Sequence, residues 1–226
     1  MAGKDFAVIG LGRFGSSLCR TLRALGHDVL GIDQDIAQVQ EARPIVTDAA
    51  QLDATDEEAL RSIGIAHYDA VVVAIGVDVE SSILITLLLK ELGVRRVLAK
   101  AGSALQQRVL EKVGADLVIF PEADAGYRVA HSLVYPAIED FLDLGEDFVI
   151  LQVPAPPEWA GRSLADLGMG GRGPAAPNGY AGLQVQVLRR GRQLICAPAL
   201  AEVVQPGDVL AVVGKHEDLE GLVGRR

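Results

Sequence analysis

Gly10-Leu11-Gly12-Arg13-Phe14-Gly15 is the stretch on which the reading of this chain turns. It follows an apolar run, Phe6-Ala7-Val8-Ile9, that reads as a short buried strand. It opens a helical pattern in which Phe14, Leu18, Leu22 and Leu25 recur at spacings of four, four and three. In a G-x-G-x-x-G turn of this kind Gly10 permits the tight bend, Gly12 lets the backbone approach a pyrophosphate, and Gly15 lets helix and strand pack closely. Phosphates then sit on N–H groups at the positive end of the helix. Glycine-rich turns are common, so the hexapeptide needs its second half. Asp28-Val29-Leu30-Gly31-Ile32-Asp33 supplies it, a strand ending in a carboxylate 18 residues after Gly15, the distance expected for the acid that binds ribose hydroxyls. Together the halves predict a Rossmann unit that binds a nucleotide. The alternative is a doubly wound domain that keeps the turn for packing alone.

Outward from this turn, strands and helices alternate through the first 120 residues, the pattern of an α/β fold with a parallel sheet covered on both faces. A helix is expected near 36–42 and a short strand at 44–47. Thr55 is expected to cap the next helix, with Glu58 as its capping-box partner. Ala70-Val71-Val72-Val73-Ala74-Ile75 is continuously apolar, as a central strand buried on both faces should be. Residues 79–92 form a helix apolar on more than one side, which implies burial in the core or against another subunit. A strand at 96–100, a helix at 104–113 and a sixth strand at 116–120 complete the unit. Helices at 122–133 and 137–144, broken at Pro136, read as an exit arm.

The character changes after Gly145, where a Rossmann-type domain (1–145) gives way to a small α+β domain (146–226). Strands are expected at 148–153, 183–188, 193–197 and 208–213, with a hairpin signal at Arg190-Gly191-Arg192, a short helical turn at 163–167 and a terminal helix at 216–223. Residues 169–182 form a loop rich in Gly and Pro.

The composition narrows the partners. Half of the 226 residues are apolar, enough for a real core, and the formal charge of −9 argues against nucleic acid, whose phosphates would be repelled. Cys19 and Cys196 share no metal-type spacing and read as small core thiols of a reducing cytoplasm. Met1–Asp5 runs straight into the first strand, so no leader is expected. The longest greasy stretch, residues 83–89, is far short of the ~20 that span a bilayer.

Candidate binding residues follow from the strand ends. Arg13 would set a guanidinium beside the phosphates, which favours a polyphosphate end over a neutral nicotinamide; the alternative is a solvated surface arginine. Asp33 would read ribose hydroxyls and repel a 2′-phosphate, which disfavours NADP. Asp53, Ala54 and Thr55 follow the third strand and would line the adenine end, although helix capping alone would explain Thr55. Ala74, Ile75 and Gly76 end the fourth strand at the carboxyl edge, where ligands lie in such sheets. Lys100 ends the fifth and would reach a phosphate or make a salt bridge. Glu122, with Asp124, follows the sixth and would hold a cation near the nucleotide or cap a helix. The four histidines share no metal spacing. No catalytic constellation is found: no G-x-S-x-G, no histidine paired with Cys19, and no tyrosine and lysine placed for hydride chemistry.

In order along the chain, several stretches resemble the cytosolic gating subunits of bacterial Ktr and Trk potassium-uptake systems, built on RCK (KTN) domains. They are Ala7-Val8-Ile9-Gly10-Leu11-Gly12-Arg13-Phe14-Gly15, Gly26-His27-Asp28-Val29-Leu30, Asp53-Ala54-Thr55-Asp56-Glu57-Glu58, Val73-Ala74-Ile75-Gly76, Thr86-Leu87-Leu88-Leu89-Lys90-Glu91-Leu92, Leu110-Glu111-Lys112-Val113-Gly114-Ala115-Asp116 and Pro121-Glu122. A looser likeness continues through Ser163-Leu164, Ala197-Pro198 and Gly207-Asp208-Val209-Leu210. The resemblance implies an octameric ring beneath a membrane-embedded channel subunit, at the cytosolic face, with ATP and ADP competing for the Rossmann site. It implies that Gly10, Gly12, Phe14 and Gly15 belong to the phosphate turn, that Arg13 reaches a terminal phosphate and Asp33 the ribose. It further implies that Glu122 helps bind a divalent or monovalent cation between paired subunits. Some members bind cyclic di-AMP in the C-terminal lobe; here residues 169–182 replace a shorter, more polar connection, so no residues are assigned to that ligand. The expected function is therefore a nucleotide-sensing regulator and not an enzyme. The alternatives are an NAD(H)-binding redox sensor and a small NAD-dependent oxidoreductase.

Overall fold

The first strand, β1 (Asp5–Ile9), lies at the centre of a sheet because both its faces are apolar: Ala7 and Ile9 enter one core and Val8 the other. In this computed structural model, which describes residues 3–134, 140–145, 147–170, 180, 182–215 and 217–218, β1 pairs in parallel with β2 (Asp28–Asp33) and with β4 (Ala70–Val73). Ile9 stands opposite both Ile32 and Val73. With β3 (Asp48–Gln51), β5 (Val97–Lys100) and β6 (Leu117–Ile119), the sheet has six strands in the order β3-β2-β1-β4-β5-β6, all parallel. The helices α1 (Arg13–Ala24) and α2 (Ile36–Ala42) cover one face, burying Cys19, Val39 and Ala42 with Val8 and Val72. The other face carries α3 (Glu57–Ser62), α4 (Val79–Glu91) and α5 (Ala104–Val113), which bring Leu60, Ile85, Leu89 and Leu110 onto Ala7, Ile32, Val71 and Val73. Strand order reverses at β1, which opens a crevice at the carboxyl ends of β1 and β4.

The chain divides into two compact units, Met1–Asp124 and Ala125–Arg226. The second is built on an antiparallel sheet in the order β10-β9-β11-β8-β7, from β7 (Asp140–Gly145), β8 (Phe148–Pro154), β9 (Gln184–Arg190), β10 (Gln193–Cys196) and β11 (Val209–Lys215). Alternation along β8 buries Val149, Leu151 and Val153 on one face, against Trp159, Leu164 and Leu167. The Trp159 indole N–H donates to Tyr180 Oη at 3.3 Å, the two rings meeting edge to face. Asp208, fully buried, accepts a bidentate pair of bonds from Arg190, at 3.0 Å from Nε and 2.9 Å from Nη2. Burial works to raise the Asp208 pKa, but the guanidinium and the Gln205 N–H outweigh it and hold the carboxyl below its usual value.

Several expectations are corrected. The third strand is not at 44–47 but at β3, whose Asp-Ala-Ala-Gln sequence has no apolar signal; as an edge strand it is held by its backbone ladder to β2. Val46, buried in the turn before it, misled the pattern. Asp56, not Thr55, caps α3, accepting from the N–H groups of Glu58 and Ala59. The helix expected at 122–133 is present as α6 (Pro121–Val134), and the break expected at Pro136 falls outside the described residues. Residues 140–144, expected as helix, form β7 in a hairpin with β8, where Gly145 and Asp147 both take positive φ. β7 thus belongs to the second, antiparallel sheet. Cys196 lies exposed on edge strand β10, not in the core; Cys19 is buried, and burial pushes its thiol up to about 11. The terminal helix at 216–223 falls outside the described residues apart from Glu217 and Asp218.

Candidate functional site

The glycine turn takes the geometry its sequence requires. Gly10 has a φ of +96° and donates its N–H to the Ile32 carbonyl at 2.8 Å, tying the turn to β2. A Cβ on Gly15 would stand 1.9 Å from the Gly10 carbonyl oxygen, so only glycine lets α1 start this close to the turn. A Cβ on Gly12 would meet nothing within 4 Å. That space is open, and Gly12 keeps its backbone bare toward it.

Gly12 is also the N-cap of α1, and no side chain caps that end. The helices α2, α3, α4 and α5 are capped by Asp35, Asp56, Asp78 and Ser103 respectively. At α1 the N–H groups of Arg13 and Phe14 have no intrahelical acceptor and no acid lies in the first turn. The helix start thus retains its donors and its partial positive charge for an external anion.

Asp33 ends β2 and braces the turn: one carboxylate oxygen accepts from the Leu11 N–H at 2.7 Å, the other from the Asp35 N–H at 2.9 Å. Ser16, which the sequence reading passed over, adds a bond from its hydroxyl to the Leu11 carbonyl at 2.6 Å. Gly10, Gly12 and Asp33 line a cleft of about 270 Å³. Asp53, Ala54 and Thr55 line it on the β3 side, where Asp53 accepts from both the N–H and the hydroxyl of Thr55. Those bonds, the hydroxyl's first, hold the Asp53 carboxyl below its usual value. Ala74, Ile75 and Gly76 line the β4 side. Gln34, Leu52, Val77, Asp78 and Ser81 also line the cleft and were missed. Asp78 is legible as a helix cap, and its neighbourhood to Gly76 was the available signal. A larger recess of about 440 Å³ lies between Asp5, Asp28, Asp48 and Tyr68, at the opposite edge of the sheet. No residue of the glycine turn lines it, and ligands of open α/β sheets bind at the carboxyl edge, so the smaller cleft is the candidate site.

Lys100 and Glu122 form a cluster of their own with Arg13, Phe14 and Gly76. The Lys100 ammonium lies 2.6 Å from Glu122 Oε1 and 5.9 Å from the centre of the Phe14 ring. Its side chain is only 12% exposed, whereas that of Glu122 is 70% exposed. The Lys100 bond, then Glu122's own backbone N–H and, more weakly, the charge of Arg13 hold the Glu122 carboxyl below its usual value. Of the two readings of Lys100, a phosphate ligand or a salt bridge, the salt bridge is present, and its partner is Glu122. Among the described residues no group of three or more His, Cys, Asp or Glu is arranged to hold a metal ion. A single carboxylate already paired with a lysine does not fit a cation by itself; the remaining ligands must come from a bound phosphate or another chain.

A parallel sheet of this strand order, with a bare helix start and an acid bracing the turn, defines a Rossmann-type nucleotide-binding fold, here followed by a small antiparallel unit. Comparison with known proteins narrows the class. Residues 6–121 match the TrkA-N domain. The chain is 38% identical over 216 residues to Ktr system potassium uptake protein C of Bacillus subtilis (strain 168), covering 96% of this chain and 94% of the relative. It is equally identical, with the same coverage, to Ktr system potassium uptake protein A of Vibrio alginolyticus. The chain belongs to the TrkA-N family, among its Ktr-type members. Its fold is similar to that of the GsuK channel bound to NAD, with a TM-score of 0.62 at 16% identity, over 98% of this chain and 39% of that one. It is also similar to the NAD(P)-binding domain of an exopolyphosphatase-related protein from Archaeoglobus fulgidus, with a TM-score of 0.52 at 27% identity, over 58% of this chain and 97% of that domain.

Proposed function

We propose that the protein is the nucleotide-sensing regulatory subunit of a bacterial potassium-uptake system, in which ATP and ADP at the glycine turn control a membrane-embedded partner. The observation that carries the ligand is the uncapped start of α1 with two cations beside it, Arg13 within its first turn and Lys100 at 5.9 Å from the Phe14 ring. Such a site matches a chain of phosphates. In this reading Asp33 takes the ribose, Asp53, Ala54 and Thr55 the adenine end, and Ala74, Ile75 and Gly76 the floor under the phosphates. Arg13 takes a terminal phosphate. Glu122 supplies one ligand to a cation only when phosphate oxygens complete the set.

The partner and the assembly rest on near full-length identity to two Ktr potassium uptake proteins. The chain would form a homo-oligomer, an octameric ring at the cytosolic face of the membrane. No helix among the described residues is long and apolar enough to cross a bilayer. It would act as a switch and not as an enzyme. Cyclic di-AMP is given no site, nucleic acid is no partner, and the domain division relevant to gating is that between the Rossmann unit and the antiparallel unit. A second reading, an NAD(H)-sensing regulator, is favoured by the likeness to the 27% identical NAD(P)-binding domain from Archaeoglobus fulgidus. Competition binding to nucleotide-stripped protein with ATP, ADP, NAD+ and NADH decides between them. Binding of NADH with neither adenine nucleotide would replace the first reading by the second.

A further inference from the structure

We infer that the Lys100–Glu122 ion pair is the specificity determinant of the nucleotide site, closing it to the second half of a dinucleotide and presenting a cation to the end of a polyphosphate. The inference rests on the proposed nucleotide reading of the cleft and says which class of nucleotide it takes.

The strand order sets the geometry. Along the carboxyl edge the chain places Asp53 and Thr55 after β3, Asp33 at the end of β2, the glycine turn after β1, Gly76 after β4, Lys100 at the end of β5 and Glu122 after β6. A nucleotide with its base by β3 and its first phosphates on α1 must send whatever comes next toward β4 and β5. In a dinucleotide that is a second ribose and base. In ADP or ATP it is phosphate.

The structure fills that position with charge. The Lys100 ammonium lies 3.1 Å from where a Cβ on Gly76 would stand, so it rests directly over the Gly76 backbone. It is bonded to Glu122 at 2.6 Å and close to the first turn of α1 through Phe14. The cleft runs from Gln34 and Asp53 to Gly76, Asp78 and Ser81, and Gly76, at its β4 side, is the lining residue over which the Lys100 ammonium rests. A flat nicotinamide seated there would have to displace or desolvate an ion pair, with only a neutral carboxamide oxygen, and no negative charge, to offer the ammonium in exchange. A phosphate offers charged oxygens. It accepts from Lys100 and Arg13, and so gains charge-assisted bonds at the point where the second nucleoside loses them.

Two variants separate charge from bulk. Lys100→Met keeps the length of the side chain and removes the ammonium. Lys100→Ala/Glu122→Ala removes both partners, leaves no lone charge and opens the space over Gly76. Each full-length protein, stripped of nucleotide, is titrated calorimetrically with AMP, ADP and ATP, and with NADH by its fluorescence. Circular dichroism and a melting curve check folding. The wild type should bind ATP and ADP more tightly than AMP and show little affinity for NADH. Lys100→Met should reduce the ATP-to-AMP preference by about tenfold to a hundredfold, the size of one charge-assisted bond, without gaining NADH. The double variant should lose the same preference and bind NADH at least about tenfold better than the wild type. An unchanged ATP-to-AMP preference in Lys100→Met overturns the inference, as does a folded double variant that binds NADH no better. Should the double variant not fold, Lys100→Met alone decides. A wild type that binds NADH and ignores ATP and ADP fails the nucleotide reading itself, and that failure is visible before any variant is made.

Discussion

Gly12→Ala should leave the fold intact and weaken nucleotide binding by roughly a hundredfold, a combination that tests the site more sharply than loss of function alone. The backbone at Gly12 has φ −63° and ψ −171°, a conformation that alanine adopts without strain. Its Cβ would meet no protein atom within 4 Å. With no clash and fewer accessible conformations in the unfolded chain, the substitution should stabilise by about 0.4–1 kcal/mol. For a chain of this size that is a rise in melting temperature of about 2–4 °C at most. The same methyl group would project into the space where a phosphate must come within hydrogen-bonding distance of the α1 donors. Overpacking there should cost about 3 kcal/mol, or roughly a hundredfold in affinity. Differential scanning fluorimetry without ligand and calorimetric titration with ATP measure the two effects separately. Unchanged ATP affinity would refute the placement of phosphate on Gly12. A melting temperature lowered by several degrees would refute the reading that the space beside Gly12 is open.

Gly15→Ala is the opposite case: its Cβ would stand 1.9 Å from the Gly10 backbone oxygen, so the variant should lose about 3 kcal/mol or more and melt well below the wild type. Asp33→Ala strands the N–H groups of Leu11 and Asp35 and should weaken AMP, ADP and ATP by similar factors of about tenfold or more, read by calorimetry. Asp208→Asn should destabilise the second unit by about 3 kcal/mol, because it breaks a buried pair with Arg190; the single tryptophan, Trp159, buried in that unit's core, reports the unfolding midpoint by fluorescence. Since Asp208 titrates below its usual 3.8 in the folded state, its contribution is present in full above the unfolded value and is lost as pH falls through the lower folded one; the asparagine variant should therefore show a shallower acid limb below about pH 4. Light scattering should give a particle larger than the 23.9 kDa chain, because α4 leaves Leu84 and Leu87 about two-fifths exposed and α6 exposes Val129, Leu133 and Val134.

The parts of the fold that were legible are those whose burial is written in side chains. Val71, Val72 and Val73 could be read as a central strand because both faces of β4 are covered, and that reading needs no knowledge of neighbours. The parts that were not legible are set by the backbone or by a partner strand. β3 contributes Asp48, Ala49, Ala50 and Gln51, none of them a strand former, and exists because β2 offers an unpaired edge. β7 carries Phe141, Leu142 and Leu144, a run too short to separate the periods of helix and strand. Gly145, read as the end of a domain, is the corner of a hairpin, and the positive φ that glycine allows there is the same signal in either reading.

The site divides along a similar line. The glycine turn and Asp33 are local, since their roles follow from strand, turn and helix in immediate succession, and the structure places them together on one cleft. The pairing of Lys100 with Glu122 is not local, yet it has a cause that the sequence contains. In a parallel sheet neighbouring strands end at the same edge, and β5 and β6 are in register with Lys100 beside Ile119. Whatever follows Ile119 by a few residues must therefore come back near Lys100, and the first charged residue to do so is Glu122. Lys100 was read for a phosphate or a salt bridge and Glu122 for a cation or a helix cap, and neither was named as the partner of the other. Once the strands are paired, a lysine with 12% of its side chain exposed cannot be left without a counter-ion, and a carboxylate at 2.6 Å is what its burial requires. That requirement is also what makes the pair informative about the ligand. An anion arriving at the start of α1 is the one kind of group that can replace Glu122 as the partner of Lys100 without leaving a buried charge unpaired.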